Sequence, residues 1–177
     1  MDIIKLCLDQ GAFKAEEIPV TSLVFAPELR KLCEDNRCGR FGRNYTCPPF
    51  SGEVDMLINK LKTFSKAVIW QNVYHLEDSF DFEGMINAQR EHNEQVLNIS
   101  KQIYKNIDRD KCVVLAAGGC TLCETCAAVT GEPCRDAENA FSSLEAYGIF
   151  VSKIESVSGL KYINGEDTVT YFAGAFL

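Results

Sequence analysis

Seven of the nine cysteines lie in two short segments, and these segments are where the sequence could carry metal chemistry. In the second cysteine loop, residues 118–135, the spacing is Cys120-x2-Cys123-x2-Cys126, with Cys134 further on. Three thiolates at this spacing can each bind one corner of a cubane cluster, and the bacterial ferredoxin run has the same core. The alternative is a closed tetrahedral zinc site, although zinc ligands more often come as two separated cysteine pairs. The spacing therefore favours an iron–sulfur centre over zinc.

The first cysteine loop, residues 33–50, contains Cys33, Cys38 and Cys47. Its spacing is less diagnostic, but it closes on Cys47-Pro48, the dipeptide that also ends the bacterial cluster run. A proline after a ligand fixes the chain and removes an N–H group beside the metal. Two metal arrangements fit: the loop holds a site of its own, or one of its cysteines completes the second-loop site. The remaining alternative is a set of small buried thiols without metal.

Arginines accompany both cysteine loops. Arg37, Arg40 and Arg43 recur at intervals of three, and Arg135 directly follows Cys134. Guanidinium groups beside an anionic centre can stabilise its charge or bind an anionic substrate. A solvated basic loop explains the same spacing equally well. We take Arg40, Arg43 and Arg135 as candidate cofactor-binding residues.

The other cysteines and the two histidines predict packing rather than chemistry. Cys7 and Cys112 lie in apolar runs away from both loops, so we expect them to be core thiols. His92 lies beside the apolar stripe of a predicted long helix, where a buried histidine is commoner than a metal ligand. His75 stands alone, and no partner suggests a role for it.

The two cysteine motifs together resemble a known family. They read Cys38-Gly-Arg-Phe-Gly-Arg-Asn-Tyr-Thr-Cys47-Pro-Pro and Gly118-Gly-Cys120-x2-Cys123-x2-Cys126 with a later Pro133-Cys134-Arg135. The sequence is similar to an uncharacterised prokaryotic family of cysteine-rich, predicted metal-binding proteins over roughly Cys33 to Leu177. The resemblance implies that the seven clustered cysteines are the metal ligands and that the source is prokaryotic. Tyr45 stands where the family usually has tryptophan.

The elements around the loops predict an α/β fold leaning to α+β. Expected strands and helices are, in order, a strand within 13–25, a helix over 27–33, a helix from Ser51, a strand over 66–74, a helix over 83–106, a strand over 112–117, a helix from Asp136 to Gly148, a strand over 149–154, and a hairpin of 160–163 with 168–172. This order predicts a βαβ-type core in a mixed sheet covered by helices. Each cysteine loop would lead into a helix N-terminus, whose free N–H groups and partial positive charge suit an anionic metal centre. Two such N-termini would balance the charge of one centre better than either alone, so we expect the two loops to face each other.

Composition narrows the class of protein. The 177 residues suit a single metal-binding domain, residues 1–177. A net charge of −7 argues against nucleic-acid binding, and no apolar run reaches the length of a membrane span. The start lacks the pattern of a signal peptide, so we expect a cytoplasmic protein. An odd cysteine count in a reducing compartment favours metal binding over disulfides.

These observations favour an iron–sulfur protein with one or two clusters, of [4Fe-4S] type, that passes electrons to a redox partner protein. The sequence contains no dinucleotide fingerprint, phosphate loop or hydrolase motif that would supply another chemistry. Two alternatives remain open. One is an enzyme whose three-thiolate cluster leaves an iron position for a small anionic substrate. The other is an interaction module stabilised by zinc.

Overall fold

The structure is a computed structural model that describes residues 1–177, and its centre is one four-stranded sheet. The strands are β1 (Lys14–Pro19), β2 (Lys66–His75), β3 (Val113–Leu115) and β4 (Thr168–Phe176). Their order across the sheet is β1-β2-β4-β3, and every neighbouring pair is antiparallel. The α-helices are α1 (Ile3–Asp9), α2 (Arg30–Glu34), α3 (Val54–Leu61), α4 (Phe82–Ile103) and α5 (Ile154–Ser158).

The mixed α+β class is confirmed, and the pairing within the sheet is simpler than expected. Strands β2 and β3, joined through α4, are both antiparallel to β4 and therefore run parallel to each other. They do not pair, because the C-terminal strand β4 inserts between them. The predicted βαβ unit is thus present in a split form, and the expected parallel ladder of a mixed sheet is absent. None of the helices combines the length and the apolar character that crossing a bilayer requires.

The two faces of the sheet bury separate apolar clusters. Alternate residues of β2 point to opposite faces, so Trp70 packs under α1 and α4 while Ile69 packs on the other side. Cys7 and Cys112 belong to the cluster under α4, with 0% and 1% of their surfaces exposed. Their expected place in the core is confirmed, and burial raises the pKa of the Cys7 thiol to about 12. His92 is also fully buried, as expected.

Two of the expected helix starts are wrong, and both lie next to the cysteine loops. Ser51 is part of a turn in which its N–H donates to the carbonyl of Cys47, so α3 begins only at Val54, after Glu53. No helix begins at Asp136. The chain there makes a single turn and then becomes extended at Ser143, which bridges Ala116 at the end of β3.

The C-terminal region also differs from expectation after Gly148. Gly148 does terminate a short 3₁₀ helix (Glu145–Tyr147), with a left-handed φ of 74°. The strand expected over 149–154 is wrong: Ile149 forms one isolated bridge to Phe25, and 3₁₀ and α-helical turns follow. The hairpin expected from residue 160 is also wrong, because β4 pairs along its whole length with the distant strand β2. Leu160 packs into the core instead of forming a strand.

Candidate metal centre

The two cysteine loops lie against each other, as the sequence predicted. Buried side chains of the first loop hold the backbone of Cys120 in the second loop on both sides. The side-chain amide of Asn44 donates to the carbonyl of Cys120 at 2.9 Å, and the N–H of Cys120 donates to the hydroxyl of Thr46 at 2.9 Å. The expectation that the loops face each other is therefore confirmed, although helix N-termini do not produce it.

Gly119 is a second point at which the two loops are in contact. The Arg40 guanidinium donates to its carbonyl at 2.8 Å. A Cβ atom at Gly119 would lie 2.9 Å from the sulfur of Cys47 and 2.9 Å from Nη1 of Arg40, which is too close. A larger residue at position 119 would therefore push the Cys47 sulfur and the Arg40 guanidinium away from their present places. The first loop therefore places one of its candidate ligands directly beside the start of the second loop.

Helix α4 fixes the point at which the second loop leaves β3. The side-chain amides of Gln89 and Asn93 both donate to the carbonyl of Ala117, at 3.2 and 3.1 Å. The N–H of Ala117 in turn donates to Oδ1 of Asn93 at 3.3 Å. Gln89 also accepts a hydrogen bond from Arg40 at 3.3 Å, so α4 holds both loops at once.

All four cysteines of the second loop line one small cavity. Its walls include Cys120, Cys123, Cys126 and Cys134, and Asn44, Tyr45 and Thr46 of the first loop close it. Four thiols are the donor set of a [4Fe-4S] cluster and also of a closed zinc site. The residues present therefore fit either centre. In the structure itself, no three His, Cys, Asp or Glu side chains converge closely enough to hold an ion.

The thiols of the first loop form a second group. Burial raises the pKa of the Cys47 thiol to about 11, the Arg40 guanidinium partly offsets this rise, and the neighbouring thiols Cys38 and Cys33 add to it. Burial also raises the pKa of Cys33, with Arg30 acting in the opposite direction. Cys38 is the only cysteine that is exposed. Because the raised pKa values keep Cys33 and Cys47 protonated near neutral pH, binding a metal would displace their protons.

The second-loop cysteines lie close to one another. Burial raises the pKa of the Cys120 thiol, and Cys123, Cys134 and Cys126 contribute in the same direction. None of the three first-loop cysteines lines the cavity that these four share. The seven clustered cysteines therefore fall into a group of three and a group of four, on loops in direct contact.

The three candidate arginines have different surroundings. Arg40 is tied to Gly119 and Gln89, as described above. Arg135 donates to the carbonyl of Thr125 at 2.8 Å and lies 3.8 Å from the Glu132 carboxylate, which braces the second loop from outside. Arg43 is exposed and lines a larger cavity of ≈ 540 Å³ that borders Cys120, Cys123 and Cys126.

Arg90 of α4 lines this larger cavity too, and no motif in the sequence singles it out. It follows Gln89, a residue of the helix stripe, but nothing local indicates that this part of α4 packs beside the cysteines. Only the contact between α4 and the second loop places it there.

A protein with these features falls in the class of cysteine-rich metal-binding proteins. The chain belongs to the family described as "Predicted metal-binding protein (DUF2284)", whose model matches residues 16–177. The resemblance seen in the two cysteine motifs is thereby confirmed. Neither the curated proteins nor the solved structures contain a match to this chain.

Proposed function

We propose that this metal-binding protein holds an iron–sulfur cluster through Cys120, Cys123, Cys126 and Cys134, and that it accepts and passes on single electrons. The observation that carries the proposal is that these four thiols line one cavity. When bound, a cluster of this kind supplies reversible one-electron chemistry.

The spacing of the thiols supports iron–sulfur over zinc. Three cysteines at x2-x2 spacing match the cubane run, whereas tetrahedral zinc sites usually use two separated pairs. With the second group, Cys33, Cys38 and Cys47, the two loops hold seven cysteines, more than the four ligands of a single zinc ion. Since Cys38 and Cys33 both raise the pKa of Cys47, and none of the three lines the cavity of the other four, we assign them to a separate three-thiolate centre with an open position.

The chain's own residues prepare the second-loop site in three ways. Asn44 and Thr46 fix the backbone of Cys120, so the first ligand of the loop is held before metal arrives. Arg40 places positive charge next to a centre whose thiolates are negative, which lowers the cost of burying that charge. Tyr45 donates to the carbonyl of Glu132 at 2.6 Å and ties down the segment that leads to Cys134.

A carrier of electrons needs a partner, and the overall charge indicates its character. The chain has 25 acidic and 18 basic side chains, for a net charge of −7. Complementary fields raise the rate of productive encounter between two proteins. We therefore propose a redox partner protein with a basic docking face.

Purification without oxygen, followed by a visible spectrum and assays for iron, sulfide and zinc, tests the proposal. We expect a brown protein with iron and sulfide in similar amounts and an absorbance that dithionite bleaches. A colourless protein that contains zinc and no iron would overturn it, and would favour a zinc-stabilised interaction module. An enzyme with an open iron position would share the brown colour, and a small anion that perturbs the spin signal of the cluster would favour that alternative over an electron carrier.

A further inference from the structure

The cavity of ≈ 540 Å³ beside the second cysteine loop contains an unusual concentration of positive charge. Its walls include three guanidinium groups, from Arg40 and Arg43 of the first loop and Arg90 of α4. Glu124 is the one acidic residue among them, and it forms no ion pair with any of the three. The cavity is therefore lined by an excess of positive charge, although the protein as a whole has a net charge of −7.

Two of these arginines have donors to spare. The side chain of Arg43 makes no hydrogen bond or ion pair, and the only hydrogen bond of the Arg90 side chain is a long one of 3.4 Å to the side-chain oxygen of Asn87. Arg40 is different, because its two terminal nitrogens already bond Gly119 and Gln89. The Arg40 side chain is thus held in place by its hydrogen bonds, while the guanidinium groups of Arg43 and Arg90 are available to bind a ligand.

We infer that this cavity binds a small organic or inorganic anion through a carboxylate or phosphate group, with Arg43 and Arg90 as the recognising donors. Guanidinium groups match the planar geometry of a carboxylate and the oxygens of a phosphate, often with two hydrogen bonds at once. The volume lies within the range of small-molecule sites. Thr121 and Thr125 line the same cavity and bring hydroxyl groups that can bond the rest of the ligand.

The cavity lies directly beside the proposed metal centre, so a bound anion could act on that centre. Cys120, Cys123 and Cys126 line both this cavity and the smaller one that holds the four thiols. An anion held by Arg43 and Arg90 would therefore lie next to the centre. That role rests on the proposed function, whereas the contacts with the arginines do not depend on which metal is bound.

Calorimetric titration of the anaerobically purified protein tests the inference, with inorganic phosphate and succinate as probes at constant ionic strength. We expect saturable binding of at least one probe, and the one that binds tells phosphate from carboxylate recognition. Each of the variants Arg43→Gln and Arg90→Gln should weaken that binding about tenfold or more, because each removes a charge-assisted hydrogen bond. Both side chains are exposed, so the variants should melt like the wild type.

Arg37→Gln is the matched control. Arg37 is exposed in the same loop and makes no hydrogen bond, but it does not line the cavity. Binding of neither probe would overturn the inference, and so would equal weakening by Arg37→Gln, since that would reflect net charge alone. Iron and sulfide assays on the same samples keep the two proposals apart. Anion binding without iron contradicts the cluster, and iron without anion binding contradicts the anion site.

Discussion

The hydroxyl group of Thr46 accepts a hydrogen bond of 2.9 Å from the backbone N–H of Cys120 and so joins the two cysteine loops. Thr46 is only 5% exposed, and its hydroxyl also donates to Oδ1 of Asn44 at 2.9 Å. The amide of Asn44 then donates to the carbonyl of Cys120. Both backbone polar groups of Cys120 are thus satisfied by the first loop, which makes the geometry of the second loop dependent on the first.

Replacing Thr46 by valine should remove the hydrogen bonds of its hydroxyl group and so weaken the contact between the two loops, while the shape of the side chain stays nearly the same. The N–H of Cys120 would lose its acceptor in a partly buried place, at a cost of about 1–3 kcal/mol in the free energy of unfolding. We expect lower denaturant resistance and faster loss of metal to a chelator. Thr21→Val is the control, because Thr21 is exposed and its hydroxyl makes no hydrogen bond. Equal behaviour of the two variants would contradict the prediction.

Substituting Cys123 by serine should remove the second-loop centre. Metal bound only by the folded state stabilises that state, so the melting temperature should fall together with the metal content. The measurement is metal per chain by elemental analysis, alongside a thermal melt. Unchanged metal content in Cys123→Ser would show that the four thiols of the second loop are not a ligand set.

The double variant Cys7→Ala with Cys112→Ala should keep its full complement of metal. Both thiols pack in the apolar cluster under α4, away from the two cysteine loops. Each substitution removes one buried sulfur atom and leaves a small cavity, which should lower the free energy of unfolding by about 1 kcal/mol. Loss of a metal equivalent in this variant would mean that at least one of the two is a ligand.

Much of the site was predictable because its signals are local. The cysteine spacing, the apolar run of β2 and the stripe of α4 are each visible within a short window of sequence. The contact between the two loops was predicted for a wrong reason. Helix N-termini were expected to bring the loops together, but the side chain of Thr46 does so by accepting a hydrogen bond from Cys120. Arg90 was missed because its place beside the cysteines depends on how α4 packs.

The errors in the fold have the same origin. Asn164-Gly165 is a strong local hairpin signal, but β4 pairs with β2 and with β3, both distant in sequence. The segment after Asp136 has a helical pattern of apolar residues, yet Ser143 is held extended by its bridge to Ala116. In both places a long-range contact overrides a local preference.

Chemical modification should separate the cysteines by exposure and by pKa. Cys38 is exposed, whereas burial raises the pKa of Cys112 to about 11 and that of Cys7 to about 12. Because the thiolate is the reactive form, iodoacetamide at neutral pH should label Cys38 of the metal-free protein rapidly and the two core thiols only after unfolding. Peptide mapping by mass spectrometry gives the order of labelling. Early labelling of Cys7 in folded protein would contradict its assignment to the core.

The buried histidine makes stability depend on pH in a defined window. His92 is fully buried, and its ring centre lies 5.9 Å from that of Tyr171. Burial lowers its pKa from 6.5 to about 4, although the backbone of Phe172 acts in the opposite direction, so the folded state keeps the ring neutral where the unfolded state is protonated. Above pH 6.5 the histidine contributes no pH dependence. As the pH falls from 6.5 towards 4, the free energy of unfolding should fall by up to about 3 kcal/mol in total.

Carboxylates titrate in part of the same range, so the histidine is isolated by difference. Denaturant titrations at several pH values should give a shallower loss of stability for His92→Asn than for the wild type, because asparagine takes up no proton. His75→Asn is the matched control, because His75, the last residue of β2, is exposed. The stability of this variant should depend on pH as that of the wild type does. Below about pH 4 the folded protein also protonates His92, so the wild-type and His92→Asn curves should run parallel there. Identical slopes for His92→Asn and the wild type between these limits would mean that the ring is charged in the folded state or reached by water.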